Sequence, residues 1–268
     1  MRPGIARWIE QTLGARVVDR RRLTGGVAST VQLLTVEDGA SFVLRTDAAV
    51  ASEVAVLRAL ERTDLPVPRV IASTDDALLM TRLPGDVHLV PTERWLRQMA
   101  QMLARIHALA IEAKPFEAWI DPAQLAPPPD AARPALWRDA IALASTARVT
   151  RTCFVHRDYQ HFNLLWSDER LTGVVDWGEA CIAPPELDVG HCRLNLALLF
   201  SPELADRFAQ IYEAEAGRAI DPVWDLHALL AYAPGWGEFL PIQIDGRAPF
   251  DPRGMTARME AVLARALR

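Results

Sequence analysis

Residues 154–178 read FVHRDYQHFNLLWSDERLTGVVDWG, and this stretch decides the fold. Its middle, residues 164–175, consists of two short apolar runs around a polar turn, a pattern that predicts a β-hairpin. A hairpin brings its outer ends together, so Asn163 before the first strand and Asp176 after the second should lie side by side. Asp158, five residues before Asn163, joins them if the intervening loop curls back. The sequence therefore predicts that three oxygen-bearing side chains converge beside a small sheet.

These three side chains suit a hard divalent cation. Magnesium prefers oxygen donors, and proteins usually hold it with one or two carboxylates plus substrate phosphates. We expect Asn163 and Asp176 to bind Mg²⁺, which leaves Asp158 to orient a hydroxyl group and to take its proton.

The same stretch resembles the aminoglycoside phosphotransferase and choline kinase-like family, the small-molecule relatives of the protein kinases. His156-Arg157-Asp158 and Asn163 follow the kinase pattern H-R-D-x-x-x-x-N, and Asp176-Trp177-Gly178 stands where protein kinases carry D-F-G. The resemblance implies an α+β, two-lobed kinase-like fold, with a small β-rich lobe at residues 1–83 and a larger helical lobe at residues 84–268. It also implies an enzyme that moves a phosphoryl group from ATP or GTP to a hydroxyl of a small molecule, with Asp158 as the catalytic base.

The resemblance extends upstream to the residues expected to hold the nucleotide. Arg45 stands where the family normally has a lysine on the α- and β-phosphates, and Glu53 would be its ion-pair partner. Downstream, Asp188 matches an aspartate that braces the catalytic loop in the family. The other nucleotide candidates belong to a glycine-rich loop and to a hinge segment beside the base, and they are Gly25, Gly26, Ser29, Thr30, Met80, Thr81 and Leu83.

Two departures from the family pattern bear on function. Arginine offers a planar fork of donors rather than a compact ammonium, so Arg45 keeps the positive charge with a different geometry. This substitution leaves a non-catalytic nucleotide-binding module as the alternative function. Only 11 residues separate Asp176 from Asp188 (188 − 176 − 1), which is too few for the activation segment of a peptide kinase and favours a small substrate.

Strands are predicted to dominate the chain before Leu83-Pro84-Gly85, the predicted boundary between the lobes. Residues 31–36 and 41–45 flank the turn Glu37-Asp38-Gly39 and predict a hairpin. Two further strands are predicted at residues 70–72 and 77–81, with one helix at residues 48–62.

Helices are predicted to dominate after this boundary. Residues 93–113 carry apolar side chains at helical spacing. Ser201 and Asp221 each precede a proline, a pattern typical of a helix start, and Gly217 suits the end of the first of these helices. A terminal helix is expected at residues 256–268.

Composition and charge exclude several classes of protein. Three cysteines without a CxxC spacing argue against a disulfide framework and against a structural zinc site. A net charge of −5 argues against a nucleic-acid partner. No apolar run approaches the roughly 18 residues that a membrane span needs, and Met1–Leu13 does not read as a secretory signal. We therefore expect a cytoplasmic monomer or homodimer.

The acceptor is less well defined by the sequence. Residues 85–268 carry 18 basic and 24 acidic side chains, so the helical part is net acidic (18 − 24 = −6) and favours a cationic acceptor. Aminoglycosides, macrolide-like antibiotics, amino alcohols and sugars all stay open. The candidate acceptor contacts are His161, Glu179, Asp225, Trp236 and Glu238.

His156, His191 and Arg157 are interpreted as residues that support the structure. His156 is expected to support the catalytic loop, Arg157 to pair with an acid, and His191 to serve structure alone. A metallohydrolase that uses His156, Asp158, His161, Asp176 and His191 as ligands is disfavoured, because their order does not follow the H-E-x-x-H helix spacing.

Overall fold

The computed structural model describes residues 3–23, 30–46, 50–231, 236–244 and 251–268. The part before Gly85 contains two helices and five strands among the described residues. They are α1 (Pro3–Leu13), β1 (Val17–Arg22), β2 (Thr30–Val36), β3 (Ser41–Thr46), α2 (Val50–Leu60), β4 (Val70–Ser73) and β5 (Ala77–Thr81).

The second part opens with a two-residue strand and then alternates short strands with helices. Its elements are β6 (Asp86–Val87), α3 (Glu93–His107), α4 (Pro134–Ala144), β7 (Cys153–Val155), β8 (Leu164–Ser167), β9 (Arg170–Val174), β10 (Cys181–Ala183), α5 (Glu186–Leu199), α6 (Pro202–Ala216), α7 (Pro222–Leu230), α8 (Trp236–Ile244) and α9 (Met255–Ala266).

The five strands before Gly85 form one antiparallel sheet in the order β1-β2-β3-β5-β4. One face of this sheet is covered by α1, whose Ile9 packs on Leu34, Leu44 and Leu79. Strand residues alternate between faces, so the neighbours of these leucines point to the opposite side. There Leu33, Val43 and Met80 lie opposite one another across β2, β3 and β5.

The helical part is built around α5. All of its residues from Glu186 to Leu198 are buried, as expected for a helix surrounded by others. The helices α6, α7 and α9 pack against it. Two small sheets, β6-β8-β9 and β7-β10, are formed by strands that come after the five-stranded sheet and before α5 in the sequence. None of the helices in the described part of the chain combines the length and apolar character that a membrane crossing requires.

Most of the predicted elements are present with small shifts at their ends. The predicted hairpins are β2-β3 and β8-β9, and Ser201, Asp221 and Gly217 cap the helices where expected. The helix predicted over residues 93–113 ends instead at His107. The reason is tertiary, because the Lys114 carbonyl accepts a hydrogen bond from the Ile182 amide and the chain there is extended. The helix α1 was not predicted.

Candidate active site

The β8-β9 hairpin brings Asn163 and Asp176 together as predicted. Its turn has two residues, Asp168 and Glu169, both with positive φ (49° and 58°), which is the type I′ geometry that matches strand twist. Leu164 pairs with Val174, and the Val175 amide donates to the Asn163 carbonyl at 3.0 Å. The side chains just outside this pairing are therefore neighbours.

Asp158 joins them through direct hydrogen bonds. The side-chain nitrogen Nδ2 of Asn163 donates both to the backbone carbonyl of Asp158 and to Oδ2 of Asp158, each at 2.9 Å. Oδ1 accepts from Nε2 of Gln160 at 2.9 Å and from Nε2 of His191 at 2.8 Å. Burial alone would raise the pKa of Asp158, but the His191 hydrogen bond, the charges of His191 and His156, and the Asn163 hydrogen bond hold it below its usual value. Asp158 is therefore kept as a carboxylate.

Arg45 links Asp176 to the five-stranded sheet. Its Nη1 lies 2.6 Å from Oδ1 of Asp176 and 2.8 Å from Oε2 of Glu53 on α2. Glu53 is 2% exposed and also accepts from the Trp177 amide at 3.2 Å. The predicted Arg45–Glu53 pair is present, and it extends to the carboxylate that was expected to bind metal.

Asp188, at the start of α5, fixes the backbone of the catalytic loop. Its Oδ2 accepts from the His156 amide at 2.7 Å and its Oδ1 from the Arg157 amide at 2.6 Å. Burial would raise the pKa of Asp188, but the hydrogen bond from His107 and the nearby histidine charges outweigh it and lower the pKa. These bonds hold Arg157 at φ 73°, a conformation that a non-glycine residue rarely adopts.

The histidine and arginine of this loop have roles in its structure. His156 bonds the Val175 carbonyl through Nε2 at 2.9 Å, and its ring lies 4.4 Å from that of Trp177. The guanidinium of Arg157 lies 3.7 Å from the ring centre of Trp119 and 5.2 Å from that of Phe116. Both are cation–π contacts, which help to hold the Arg157 side chain in place.

A cleft of about 710 Å³ runs between the five-stranded sheet and the catalytic loop. Its apolar wall on the sheet side is the row Leu33, Val43 and Met80, and Phe162 and Leu165 line it from the other side. A cleft that combines an apolar wall with several charged and polar side chains is typical of a small-molecule site. The predicted residues that line it are Arg45, Glu53, Met80, Thr81, Leu83, Asp158, Asn163 and Asp176.

The donors in this cleft fit magnesium rather than zinc. Asn163 and Asp176 supply an amide and a carboxylate, which are oxygen donors of the type that Mg²⁺ prefers. Within the described part of the chain, no three His, Cys, Asp or Glu side chains come together as metal ligands. The five residues of the metallohydrolase alternative thus form no ligand set.

The segment after Asp176 is held by contacts from both sides of the cleft. The Gly178 carbonyl accepts from the Ser52 hydroxyl of α2 at 3.3 Å and from the Lys114 ammonium at 3.2 Å. Lys114 also lies 3.5 Å from the Glu179 carboxylate, and it is the only lysine in the chain.

Two of the predicted acceptor contacts are wrong because their side chains are buried. Asp225 is 3% exposed and forms an ion pair with Arg193 inside the helical bundle. The ring of His161 is fully buried and packs against Phe162, Phe200 and Trp95. An acidic or loop residue gives no sequence signal of burial, which explains both errors.

The remaining candidates are the acceptor contacts Glu179, Glu238 and Trp236 and the nucleotide contacts of the glycine-rich segment. Some of them are described by the structure and others are not. Glu179 and Glu238 are exposed, and Thr30 begins β2, where its carbonyl accepts from the Thr46 hydroxyl at 3.5 Å. Gly25, Gly26 and Ser29 lie outside the described residues. Trp236 starts α8, but its side chain lies outside the described part as well.

Sequence reasoning missed the two other donors to Asp158. The structural interpretation of His191 comes from considering it as a metal ligand together with Cys192. Adjacent residues of a helix point in different directions, which excludes that pair, and the interpretation leaves out a contact of His191 with Asp158. Gln160 gives little signal because glutamine has no titratable group. The one available signal for His191 is its spacing from Asp188, since residues three apart share a helix face.

The sequence of the chain was compared with models of protein families and with curated proteins. Residues 19–257 match a family model described as "Phosphotransferase enzyme family". No curated protein sequence matches the chain.

Solved structures share the fold over nearly the whole chain. The macrolide 2'-phosphotransferase MphH from Brachybacterium faecium is 20% identical, with a TM-score of 0.61 over 95% of this chain and 96% of that one. The streptomycin–ATP ternary complex of APH(2'')-IIa is 17% identical, with a TM-score of 0.60 over 86% of each chain. LicA in complex with AMP is 15% identical, with a TM-score of 0.66 over 98% of each chain. These matches confirm the predicted kinase-like fold.

Proposed function

The chain belongs to the phosphotransferase enzyme family, and on that premise we propose that it transfers the γ-phosphoryl group of ATP to a hydroxyl group of a small molecule, with Asp158 as the catalytic base. The observation that carries the proposal is that Asp158, Asn163 and Asp176 line one cleft, which the Arg45–Glu53 pair also lines.

The reaction balances with the groups at hand. The acceptor oxygen forms a bond to the γ-phosphorus, and the bond from that phosphorus to the β,γ-bridging oxygen breaks. ADP leaves with the electron pair, and the hydroxyl proton passes to the Asp158 carboxylate. Because the transition state of phosphoryl transfer is loose, most of the acceleration would come from positioning and from charge neutralisation.

In this proposal Asn163 and Asp176 hold Mg²⁺, which would neutralise the charge on the phosphates when it is bound. Arg45 contacts the phosphates and Glu53 orients it. The guanidinium of Arg45 already lies against Asp176, so the cation that steadies the phosphates and the carboxylate that holds the metal are next to each other.

The nucleotide would lie between the two predicted lobes, residues 1–83 and 84–268. The base occupies the apolar slot beneath Leu33 and Val43, beside Met80, Thr81 and Leu83. The sequence-predicted nucleotide residues Gly25, Gly26, Ser29 and Thr30 are proposed to contact the phosphates. GTP is the alternative nucleotide, and competition between ATP and GTP for binding would decide between the two bases.

The acceptor is proposed to be a small and cationic alcohol, such as an aminoglycoside or an amino alcohol. Glu179 and Glu238 are exposed carboxylates that could contact such a molecule, although Glu179 already lies 3.5 Å from Lys114. Sugars and macrolide-like antibiotics are the other acceptor classes to test, and one structural relative is itself described as a macrolide 2'-phosphotransferase.

The decisive experiment is a coupled assay of ADP release with ATP and Mg²⁺ against aminoglycosides, macrolides, amino alcohols and sugars. An accelerating acceptor is expected, and Asp158→Asn should abolish turnover while nucleotide affinity is kept. Asp168→Asn, in the exposed turn of the same hairpin, is the matched control and should behave as wild type. Tight ATP binding without turnover on the whole panel would instead favour the non-catalytic module.

A further inference from the structure

The two oxygens of the Asp158 carboxylate are bonded unequally. Oδ1 accepts two hydrogen bonds, from Gln160 and from His191, whereas Oδ2 accepts one, from Asn163. A carboxylate oxygen has two lone pairs in its plane, so Oδ1 is saturated and Oδ2 has one site left.

We propose that Gln160 and His191 are positioning residues that anchor Oδ1 of Asp158 and so make Oδ2 the oxygen that takes the proton. This inference rests on the proposed function, because it assigns an atom to the base named there. Without the two donors, the carboxylate would rotate about its Cβ–Cγ bond, and neither oxygen would be held with a lone pair aimed at the acceptor.

The placement of His191 connects this anchor to the brace on the loop backbone. Asp188 and His191 are three residues apart on α5 and therefore share one helix face. Asp188 fixes the amides of residues 156 and 157, and His191 fixes the side chain of the next residue. One face of a buried helix thus orients both the loop and its reactive carboxylate.

Gln160 supplies evidence that its role is in function rather than in stability. Its side chain is 1% exposed, and its Oε1 is buried with no hydrogen-bond partner among the described residues. A buried carbonyl without a partner is destabilising, so an apolar side chain of the same shape should be tolerated or preferred there. The Nε2 of the same amide donates to Oδ1 of Asp158, so the polar group serves the carboxylate rather than the packing around it.

The test compares two variants that keep the side-chain volume but remove the hydrogen-bond donor to Asp158 with one variant that keeps a donor. Gln160→Met and His191→Leu remove an N–H donor, whereas His191→Gln retains one at similar reach. The rate of ADP release would be measured with ATP, Mg²⁺ and the fastest acceptor of the panel, or with water as acceptor if none is found. Gln101→Met is the control, since Gln101 bonds Glu215 on the surface.

The expected result separates positioning from folding. Gln160→Met and His191→Leu should lower kcat by about 10- to 100-fold, as small misplacements of reacting groups do, with the KM for ATP unchanged. His191→Gln should recover most of the lost rate, and the Tm of Gln160→Met should equal or exceed that of wild type. Gln101→Met should leave kcat unchanged.

Two outcomes would overturn the inference and stay distinct from failure of the proposed function. Wild-type kcat in both Gln160→Met and His191→Leu would overturn it, even with Asp158→Asn inactive. So would a loss explained by fewer nucleotide-binding sites per chain, with kcat per site unchanged. Full turnover in Asp158→Asn would instead reject the proposed function itself.

Discussion

At the scale of single residues, Arg45 is the clearest case of a side chain whose contacts define its role. It is 7% exposed and pairs with two carboxylates, one from α2 and one from the segment after β9. Because Glu53 is buried, the Arg45 guanidinium offsets the cost of taking its carboxylate out of water. An ion pair of this kind is far more sensitive to the loss of one member than a surface pair is.

The variant Arg45→Met should therefore destabilise the protein. We expect a loss of about 3–5 kcal/mol in the free energy of unfolding, because the variant removes the Arg45 cation from beside a buried carboxylate. Adding Glu53→Gln should restore a large part of this loss, as measured by urea denaturation. Arg58→Met, which removes only the exposed pair of Arg58 with Glu61, is the control and should cost about 1 kcal/mol or less. Equal losses for Arg45→Met and Arg58→Met would contradict the argument.

The residues of the site are predictable only where local geometry decides. Asp158, Asn163 and Asp176 follow from a hairpin and a fixed spacing, and the structure brings them together. The predictions for Asp225 and His161 fail because exposure depends on how α7 and α5 pack. The prediction for His191 misses its contact with Asp158 because that contact spans 33 residues of chain (191 − 158).

At the scale of elements, the turn at Gly85 sets how the chain passes from the five-stranded sheet to β6. Gly85 has φ 94°, and a Cβ there would lie 2.4 Å from the Trp166 carbonyl oxygen on β8. Backbone cannot give way as a flexible side chain does. The close approach of β6 to β8 therefore requires glycine at this position.

Replacement of Gly85 by alanine should cost more than replacement of a glycine with similar φ in open space. Gly39→Ala is the matched control, since Gly39 has φ 87° and no atom of the described residues lies within 4 Å of the place that an alanine methyl group would take. It should cost about 1–2 kcal/mol from the backbone conformation alone. Gly85→Ala should add about 1–3 kcal/mol for the clash, measured by thermal and urea unfolding. Equal costs for the two variants would contradict this account.

Asp188 gives a second prediction at this scale, because it joins α5 to the catalytic loop. A carboxyl with a lowered pKa in the folded state contributes stability above its unfolded pKa of about 3.9, and this contribution is lost as the pH falls through the folded value. The difference in unfolding free energy between wild type and Asp188→Asn should therefore be largest near neutral pH and shrink below about pH 4. A difference that stays constant between pH 7 and pH 3 would contradict the role given to Asp188.

Elements are predicted well where caps and turns are local. Ser201, Asp221 and Gly217 cap their helices, and the polar turn of β8-β9 fixes its hairpin. The predicted end of α3 lies six residues too late, because the chain beyond His107 is held extended by β10 rather than by its own propensity. The helix α1 is missed although Ile5, Trp8 and Ile9 have helical spacing.

At the scale of the whole molecule, polar contacts join the part before Gly85 to the rest of the chain, among them the bond from the Trp177 amide to Glu53. Arg45 and Ser52 reach the segment after β9, and the Val174 amide donates to the Pro66 carbonyl at 2.8 Å. A ligand that fills the cleft between them would add contacts to both sides. Nucleotide binding should therefore stabilise the fold as a unit.

ATP with Mg²⁺ should raise the Tm of the wild-type protein. A nucleotide concentration of 100 times its Kd adds about 2.7 kcal/mol to the free energy of unfolding. Asp176→Asn should keep an effect of ATP alone but lose the increment that Mg²⁺ adds. Asp86→Asn changes another carboxylate that lines the same cleft and should retain that increment. Thermal shift with and without Mg²⁺ provides the measurement, and an unchanged Mg²⁺ increment in Asp176→Asn would rule out its metal role.

The lone ammonium side chain at Lys114 has a practical consequence. All other basic side chains counted as Lys or Arg are guanidinium groups, and acylating reagents do not modify these under mild conditions. Lys114 is about half exposed and touches the carbonyl two residues after Asp176. Apart from the α-amino group, a fluorophore ester would thus attach at one place, beside the segment that follows Asp176. The native chain carries its own labelling handle there, with no engineered cysteine required.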